Sequence, residues 1–316
     1  MPRVSIGLPV MNGEKYLAGA IEAIRAQTFE DFELLISDNA STDRTQEICE
    51  QHARQDERVR YVRQSENLGA SRNFNYVYHH TNGEFFRWAA YDDLIRPEYL
   101  EACVKGLDAS PESVLVYPKT VRIDEEGTIL GVFEAATRDA TGETPSERLT
   151  SLIGRGPLEE SIIHMCFPIF GLIRRTALER TSLIASMPRS DMLLLVELAL
   201  KGRFLPLDDE LFLRREHDDG SVTAAENAAE GFQELEALLA AWYDPSKGKR
   251  YPATLTRLGL GYTKAAMRTS MSFGQKLRSM KVLAGWMGRH WRAIGGEMKI
   301  VTRERLFGVR RAPSRA

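Results

Sequence analysis

Two adjacent carboxylates at the end of an apolar run are the first residues that could do chemistry. Residues 84–93 read Glu-Phe-Phe-Arg-Trp-Ala-Ala-Tyr-Asp-Asp, so Asp92 and Asp93 follow a stretch with the character of a buried strand. Neighbouring carboxylates there are costly unless something positive lies beside them. A divalent cation bridged to a diphosphate is such a partner, because Mg2+ and Mn2+ take oxygen ligands and are commonly held by few carboxylates plus substrate phosphates. A solvated pair capping the helix that starts near Pro97 is the plainer reading, and the pair alone does not decide. Three further apolar runs end in polar clusters. These are Pro9-Val10-Met11-Asn12-Gly13-Glu14, Ser37-Asp38-Asn39-Ala40-Ser41-Thr42-Asp43, and Glu66-Asn67-Leu68-Gly69-Ala70-Ser71-Arg72. Capping by Thr42 or Asp43 would explain part of the second. Later in the chain Asp191 opens an apolar helical stretch and His217 follows Arg214-Arg215-Glu216. A carboxylate such as Asp191 can take a proton from an acceptor hydroxyl, or it can simply cap its helix. A lone histidine is more often structural than a ligand.

These groups need elements to position them. Apolar runs predict strands at 4–10, 32–37, 59–63, 84–89 and 114–117, and helical spacing predicts helices at 14–27, 45–54, 71–80 and 97–107. Strands alternating with helices argue for βαβ units and a mostly parallel central sheet flanked by helices. In such sheets ligands bind in crevices at the carboxyl ends of the strands, where the polar clusters fall. The turn signal Asp124-Glu125-Glu126-Gly127 predicts a hairpin of 120–123 with 128–133. Residues 134–144 read as a loop, 162–173 as strand material broken at Pro168, 192–200 as a helix stopped by Gly202, and 204–215 as a strand. Beyond residue 222 the character turns to helix and loop. This divides the chain into an α/β unit over 1–222 and a basic helical region over 223–316.

Taken in order, these pieces resemble family 2 glycosyltransferases with the GT-A fold. The matching residues are the first-strand segment from Val4 to Leu17, the Ser37–Asp43 segment, Glu66-Asn67-Leu68-Gly69, and Tyr91-Asp92-Asp93, and the similarity runs over roughly residues 1–220. Met11 stands where the family usually has Tyr or His, and Ser190 where many relatives have Glu. The resemblance implies an inverting transfer of a sugar from a nucleotide-sugar donor, with UDP favoured, to a hydroxyl on a glycan, a lipid-linked or a small-molecule acceptor. It implies a nucleotide-sugar pocket formed by Pro9, Val10, Asn12, Glu14, Asp38, Asn39, Ser41, Asn67, Gly69, Arg72 and Asp92. Asp38 would accept from the base and Asp92 would face the ribose or the sugar. Asp93 would bind a divalent metal, Mn2+ or Mg2+, with His217 as a further ligand or diphosphate contact, and Asp191 would act as the base. Surface-polysaccharide and glycolipid synthesis are the settings that the family suggests.

Two other functions compete. A nucleotidyltransferase would show a glycine-rich basic loop after the first strand, and here that loop is the acidic Asn12-Gly13-Glu14. A non-catalytic nucleotide-sugar binder has no evident need for both Asp93 and Asp191. No GxGxxG follows a strand, which argues against a dinucleotide-dependent oxidoreductase. The three cysteines form no CxxC, so neither a disulfide framework nor a zinc site is indicated. With no signal-peptide pattern and no run of about 18 apolar residues, a cytoplasmic setting is expected.

The net charge of −2 conceals an asymmetry: residues 247–316 hold 17 Lys and Arg against 2 Asp and Glu. The stretch also carries Leu277, Met280, Leu283, Trp286, Met287, Trp291 and Ile294 at helical spacing. An interfacial helix on anionic lipid, a subdomain packed on the α/β unit, and an oligomer contact all suit that pattern. No nucleic-acid-binding motif accompanies the charge.

Overall fold

The computed structural model describes residues 1–133, 140–154, 167–218, 220–248 and 250–307. Most of the loop expected over 134–144, residues 155–161, the first part of the apolar run at 162–166, and the tail beyond 307 lie outside the described residues.

Strands β1 (Val4–Val10) and β2 (Phe32–Asp38) are buried at every residue and run parallel, with Val4 opposite Phe32 and Val10 opposite Asp38. A strand covered on both faces reads as a continuous apolar run, and this explains why the sequence shows no alternation there. Helix α1 (Leu17–Arg25) joins them, followed by α2 (Thr45–Gln55), β3 (Val59–Arg63), α3 (Ala70–His79), β4 (Phe85–Trp88), the short β5 (Leu94–Ile95), α4 (Tyr99–Ala109) and β6 (Ser113–Tyr117). The next elements are β7 (Thr120–Ile123), β8 (Ile129–Phe133), α5 (Pro145–Ile153), a 3-10 turn (Phe167–Phe170), β9 (Leu172–Arg174), α6 (Arg175–Leu178), α7 (Ser190–Ala199), β10 (Arg203–Pro206) and β11 (Phe212–Arg215). Among the described residues the main sheet has seven strands in the order β10-β6-β9-β4-β1-β2-β3. All neighbours are parallel except β9, which is antiparallel to both β4 and β6.

Side chains alternate across this sheet, as the period of two requires. Leu34 and Ile36 join Val4, Ile6, Leu8, Ile21 and Tyr99 on one face. Leu35, Phe86, Trp88 and Leu115 join Val77, Leu194 and Leu198 on the other. Gly7 makes room for α3: a Cβ there would lie 2.4 Å from Val77 Cγ2.

The run expected as one strand over 204–215 is two strands in two sheets. β10 ends at Pro206 in the main sheet, and β11 belongs to a second, four-stranded sheet ordered β5-β11-β7-β8. Pro206 lacks the N–H that a continuing ladder would need. The expected hairpin is present, with β7 antiparallel to β8.

Helices α8 (Ser221–Ala228), α9 (Phe232–Tyr243), α10 (Thr254–Arg268), α11 (Phe273–Arg289) and α12 (Trp291–Phe307) complete the chain. They do not stand apart from the α/β unit. Leu255, Leu258, Tyr262 and Ala266 of α10 and Leu283 and Trp286 of α11 belong to the same buried cluster as Leu115 and Leu194. The seven apolar residues at helical spacing are therefore split: Trp286 and Leu283 are core, Met280, Met287 and Ile294 pack against it, and Trp291 and Leu277 are exposed. Among the described residues no helix is long and apolar enough to cross a membrane.

Two buried carboxylates fasten this region. Glu297 of α12 accepts from the backbone N–H groups of Leu255 and Thr256 (2.9 and 2.8 Å) and so satisfies donors that the first turn of α10 would otherwise leave open. Glu236 of α9 is wholly buried and pairs with Arg189 at 2.8 Å while accepting from Thr254 Oγ1. Arg189 is the residue before α7 and sits at φ 58°. Removing one partner of a buried pair leaves an uncompensated charge. Glu236→Ala should therefore lower unfolding stability by about 3 kcal/mol, the low end of that range because the Arg189 side chain keeps 23% exposure. Urea denaturation of the variant beside the parent protein checks it.

Candidate active site

β1, β2, β3 and β4 are neighbours with their carboxyl ends along one edge, and each delivers a polar loop there. The first two loops are clasped together. Asn12 N–H donates to Ser41 Oγ (2.8 Å), and Thr42 N–H donates to Asn12 Oδ1 (2.9 Å). Gly13 N–H donates to Thr45 Oγ1 (2.8 Å), and Glu14 N–H to Asp43 Oδ2 (3.0 Å). Asn12 and Ala40 are held at φ 54° and 61°, a backbone region costly for any residue with a Cβ. The second and third loops are joined through Asn39, whose Nδ2 donates to Asn67 Oδ1 and whose Oδ1 accepts from Leu68 N–H, both at 2.8 Å. Gly69 follows at φ 81°, where a Cβ would lie 2.5 Å from Pro245 Cδ.

The expected pocket residues thus converge, but several are committed to the scaffold. Pro9 and Val10 are buried at the end of β1, which leaves little of their side chains for a ligand. Glu14 turns its carboxylate to Arg44 N–H (3.0 Å) at the start of α2. Asp38, expected to meet the base, is wholly buried: Oδ1 accepts from Ser41 N–H and Oδ2 from Tyr61 Oη–H, both at 2.8 Å, with Arg63 Nε 3.7 Å away. A base N–H would reach Asp38 only if Tyr61 gave way. Asn12, Asn67 and Arg72 are exposed at the same edge, and Arg72 makes no ion pair among the described residues.

The carboxylate pair is positioned by the second sheet. Antiparallel pairing of β5 with β11 sets Leu94 opposite Leu213, so the residues just before β5 meet those just after β11. Asp93 Oδ1 accepts from Arg215 N–H (3.0 Å), and Arg215 Nε donates to the Asp92 carbonyl (3.0 Å). Arg215 Nη1 donates to the Asp124 carbonyl (2.9 Å), which ties in the β7–β8 turn. His217 Nε2 lies 2.8 Å from Asp92 Oδ2. The ring of Tyr16 packs at 4.8 Å from the His217 ring, and Gly13 abuts Tyr91, so the β1 loop and the carboxylate pair share one locus. Tyr16, Tyr61, Arg63 and Arg215 are positioning residues that the sequence did not single out for these contacts. Arg63 could have been found only from the β2–β3 register, which sets it directly opposite Asp38.

Burial, reinforced by the neighbouring charge of Asp92, pushes the Asp93 carboxyl up to about 7. Two clustered carboxyls and an imidazole are hard-oxygen and nitrogen donors of the kind that Mn2+ or Mg2+ accepts. Among the described residues no group of three or more His, Cys, Asp or Glu side chains is arranged to hold a metal ion. A cation beside this pair would therefore need ligands from a substrate to complete its shell.

Asp191 sits in the first turn of α7, where its Oδ1 accepts from Met192 N–H (2.9 Å). β10 runs parallel to β6 and begins just after α7, so the helix descends from the carboxyl edge to the amino edge of the sheet. Asp191 is thereby at the same edge as the loops above.

Residues 5–181 match the family model described as Glycosyl transferase family 2. The chain belongs to that family. An uncharacterized glycosyltransferase of Rickettsia typhi is 31% identical over 166 residues, 52% of this chain and 49% of its own. Chondroitin synthase of Escherichia coli is 31% identical over 130 residues, 41% of this chain and 19% of its own. The chain thus spans half or less of the length of these relatives. Among solved structures, S. aureus TarS 1–349 in complex with UDP-GlcNAc superposes with a TM-score of 0.62 at 17% identity, covering 96% of this chain and 77% of that one. Mannosyltransferase PcManGT from Pyrobaculum calidifontis, in complex with GDP-Man and Mn2+, gives 0.51 at 16% identity over 98% and 88%. The fold is GT-A, with the helical region appended at its C-terminal end.

The raised Asp93 carboxyl carries a sign. The folded state holds its proton up to about 7, whereas an unfolded aspartate releases it near about 3.9. Between those values the folded state binds more protons, so stability falls as pH rises and the loss is complete above 7. In chelator, Asp93→Asn should be more stable than the parent protein by about 1 kcal/mol or more at pH 8, and equal to it at pH 4. Thermal melts at the two pH values test this.

Proposed function

We propose that this protein is an inverting glycosyltransferase that moves a sugar from a UDP-sugar to a hydroxyl acceptor. The observation that carries the reading is the half-buried Asp92–Asp93 pair beside His217 at the strand edge where the clasped β1, β2 and β3 loops gather. Uncompensated, that pair is an expense; opposite a nucleoside diphosphate and its cation it is a binding device.

On this reading Asp93, with His217, would hold a divalent cation, and Asp92 would face the ribose or the sugar. When bound, the cation supplies positive charge to a departing diphosphate. Asn12, Asn67 and Arg72 are the exposed polar groups at the crevice, and Asn39, Ser41 and Gly69 give the loops their shape for the nucleotide. Asp191 accepts the proton of the acceptor hydroxyl. The acceptor oxygen then forms its bond to the anomeric carbon as the bond to the diphosphate oxygen breaks. A single displacement from the opposite side inverts the anomeric configuration. The acceptor is a glycan, a lipid-linked glycan or a small molecule. Contact with an anionic membrane would fall to the exposed Phe273, Leu277 and Trp291 and the Lys and Arg around them, since Trp286 and Leu283 are buried.

Donor screening by thermal shift, with Mn2+ or Mg2+ present, reads binding through the stabilisation that a native-state ligand gives by mass action. UDP-sugars should raise the melting temperature in the presence of the cation and far less in chelator. Asp191→Asn should reduce transfer by at least about 100-fold, within the range a positioned base contributes, while the donor-induced shift persists. Transfer at the parental rate in that variant would remove Asp191 from the mechanism, and a donor panel without any shift would sink the nucleotide-sugar reading.

A further inference from the structure

The opposite edge of the main sheet carries a second concentration of charge. β9 is antiparallel to β4 and ends beside the first residue of β4, so α6 and Arg180 lie at the amino edge. Lys201 immediately precedes β10, which places it at that edge as well. Between them and the C-terminal half of α10 opens a cleft of about 820 Å3. It is lined by five cationic side chains, Arg148, Arg180, Lys201, Lys264 and Arg268, against one carboxylate, Glu197.

That carboxylate is already engaged, since Glu197 Oε2 accepts from both Ser182 N–H (2.7 Å) and Ser182 Oγ–H (2.8 Å). Arg148 is buried, and its guanidinium donates to the carbonyls of Ala199, Gly142 and Glu143. Its charge stays in place with no carboxylate bound to it. Among the described residues none of the five cations forms an ion pair. Partial burial lowers the pKa of Lys201, with Glu197 opposing that shift and Arg180 adding to it. Surface charges elsewhere on the chain pair readily, as Arg3 does with Glu84 and Arg122 with Glu216. Five cations facing a single carboxylate around a cavity is a different arrangement.

We propose that this cleft is a binding site for a phosphate-bearing anion, on the face of the sheet edge opposite the sugar-nucleotide crevice. Clustered Lys and Arg side chains suit the multiple acceptor oxygens and high charge density of a phosphate or diphosphate. The volume lies within the range of small-molecule sites. Lys264 and Arg268 belong to the basic C-terminal region, so the site gives part of that charge a defined ligand. The same chemistry is offered by a free di- or polyphosphate compound and by the headgroup of an anionic lipid.

The test uses inorganic pyrophosphate in chelator, with NaCl of equal ionic strength as control, on the parent protein and on a Lys201→Gln/Lys264→Gln variant. Both lysines are exposed, and removing two like charges should leave the melting temperature of the free variant equal to or above that of the parent. Millimolar pyrophosphate should raise the parent's melting temperature by about 2 °C or more beyond the salt control, and the variant should lose most of that rise. A shift no larger than that given by NaCl, or an equal shift in the variant, overturns the proposal. Sedimentation with phosphatidylglycerol/phosphatidylcholine vesicles then separates the sources. Binding that the double variant loses and pyrophosphate competes away assigns the site to lipid headgroups; a pyrophosphate shift without such binding assigns it to a soluble phosphate compound.

Discussion

The costliest arrangement in the protein is the pair of adjacent carboxylates half-buried at the edge of the main sheet. Nothing in the strand that precedes them requires Asp92 and Asp93 to stay close to protein, and in open solvent the chain could turn both away from each other. The four-stranded second sheet prevents that. By pairing β5 with β11 it brings the Arg215 N–H to Asp93 and the His217 ring to Asp92, and Arg215 then bridges to the β7–β8 turn. The small sheet therefore serves the site as well as the core, to which it gives Ile95 and Phe212. It converts two flexible acidic side chains into a fixed, under-compensated negative locus, which is a favourable place for a cation only because it is unfavourable without one.

The loops around that locus are built on the same logic, with polar groups spent on one another so that backbone stays where a ligand needs it. Asn12 and Ala40 hold strained left-handed conformations because four hydrogen bonds between the β1 and β2 loops outweigh the strain. Asp38 is the extreme case. A fully buried carboxylate with a phenol, a backbone amide and a nearby guanidinium as partners is the keystone of its loop, whatever further contact a ligand makes with it. Residue type and position marked Asp38 and Glu14 as belonging to the site. They did not distinguish a side chain that touches a ligand from one that shapes the surface a ligand touches.

That distinction marks the limit of what the sequence carried. The alternation of apolar runs and helical periods is local, and it located β1, β2, β3, β4 and β6 and the helices between them to within three residues. The polar clusters at strand ends were legible because the parallel topology sends every strand's carboxyl end to one edge. Register and partner choice are not local. The split of 204–215 into β10 and β11 depends on which sheet each half pairs with, and both halves are apolar enough for either. The Arg63–Asp38 proximity depends on a ladder register, and the Arg189–Glu236 pair joins residues 47 apart. Trp286 shows the same limit from the other side. It stands in the same basic stretch as Trp291, and the packing of α11 against α10, with the Tyr262 ring at 5.5 Å, takes Trp286 into the core while Trp291, at the start of α12, stays in solvent.

The C-terminal helices gain a second meaning from these contacts. A basic helical extension could be an independent appendage, but here its buried acidic residues point inward, and Arg257 and Arg289 donate to the Ser186 and Ile153 carbonyls of the α/β unit. Glu236 neutralises Arg189 in the left-handed turn that launches α7, and Asp191 stands two residues further on. Tyr243, the last residue of α9, and Pro245 just beyond it close over Gly69 at the start of α3, where the third polar loop ends. One helix thus braces both the segment that carries the candidate base and the loop that borders the nucleotide crevice. The region beyond residue 222 is therefore part of what holds the Asp191 segment and the Gly69 loop in place. The surplus of positive charge is what remains on the outside once those inward carboxylates have been used.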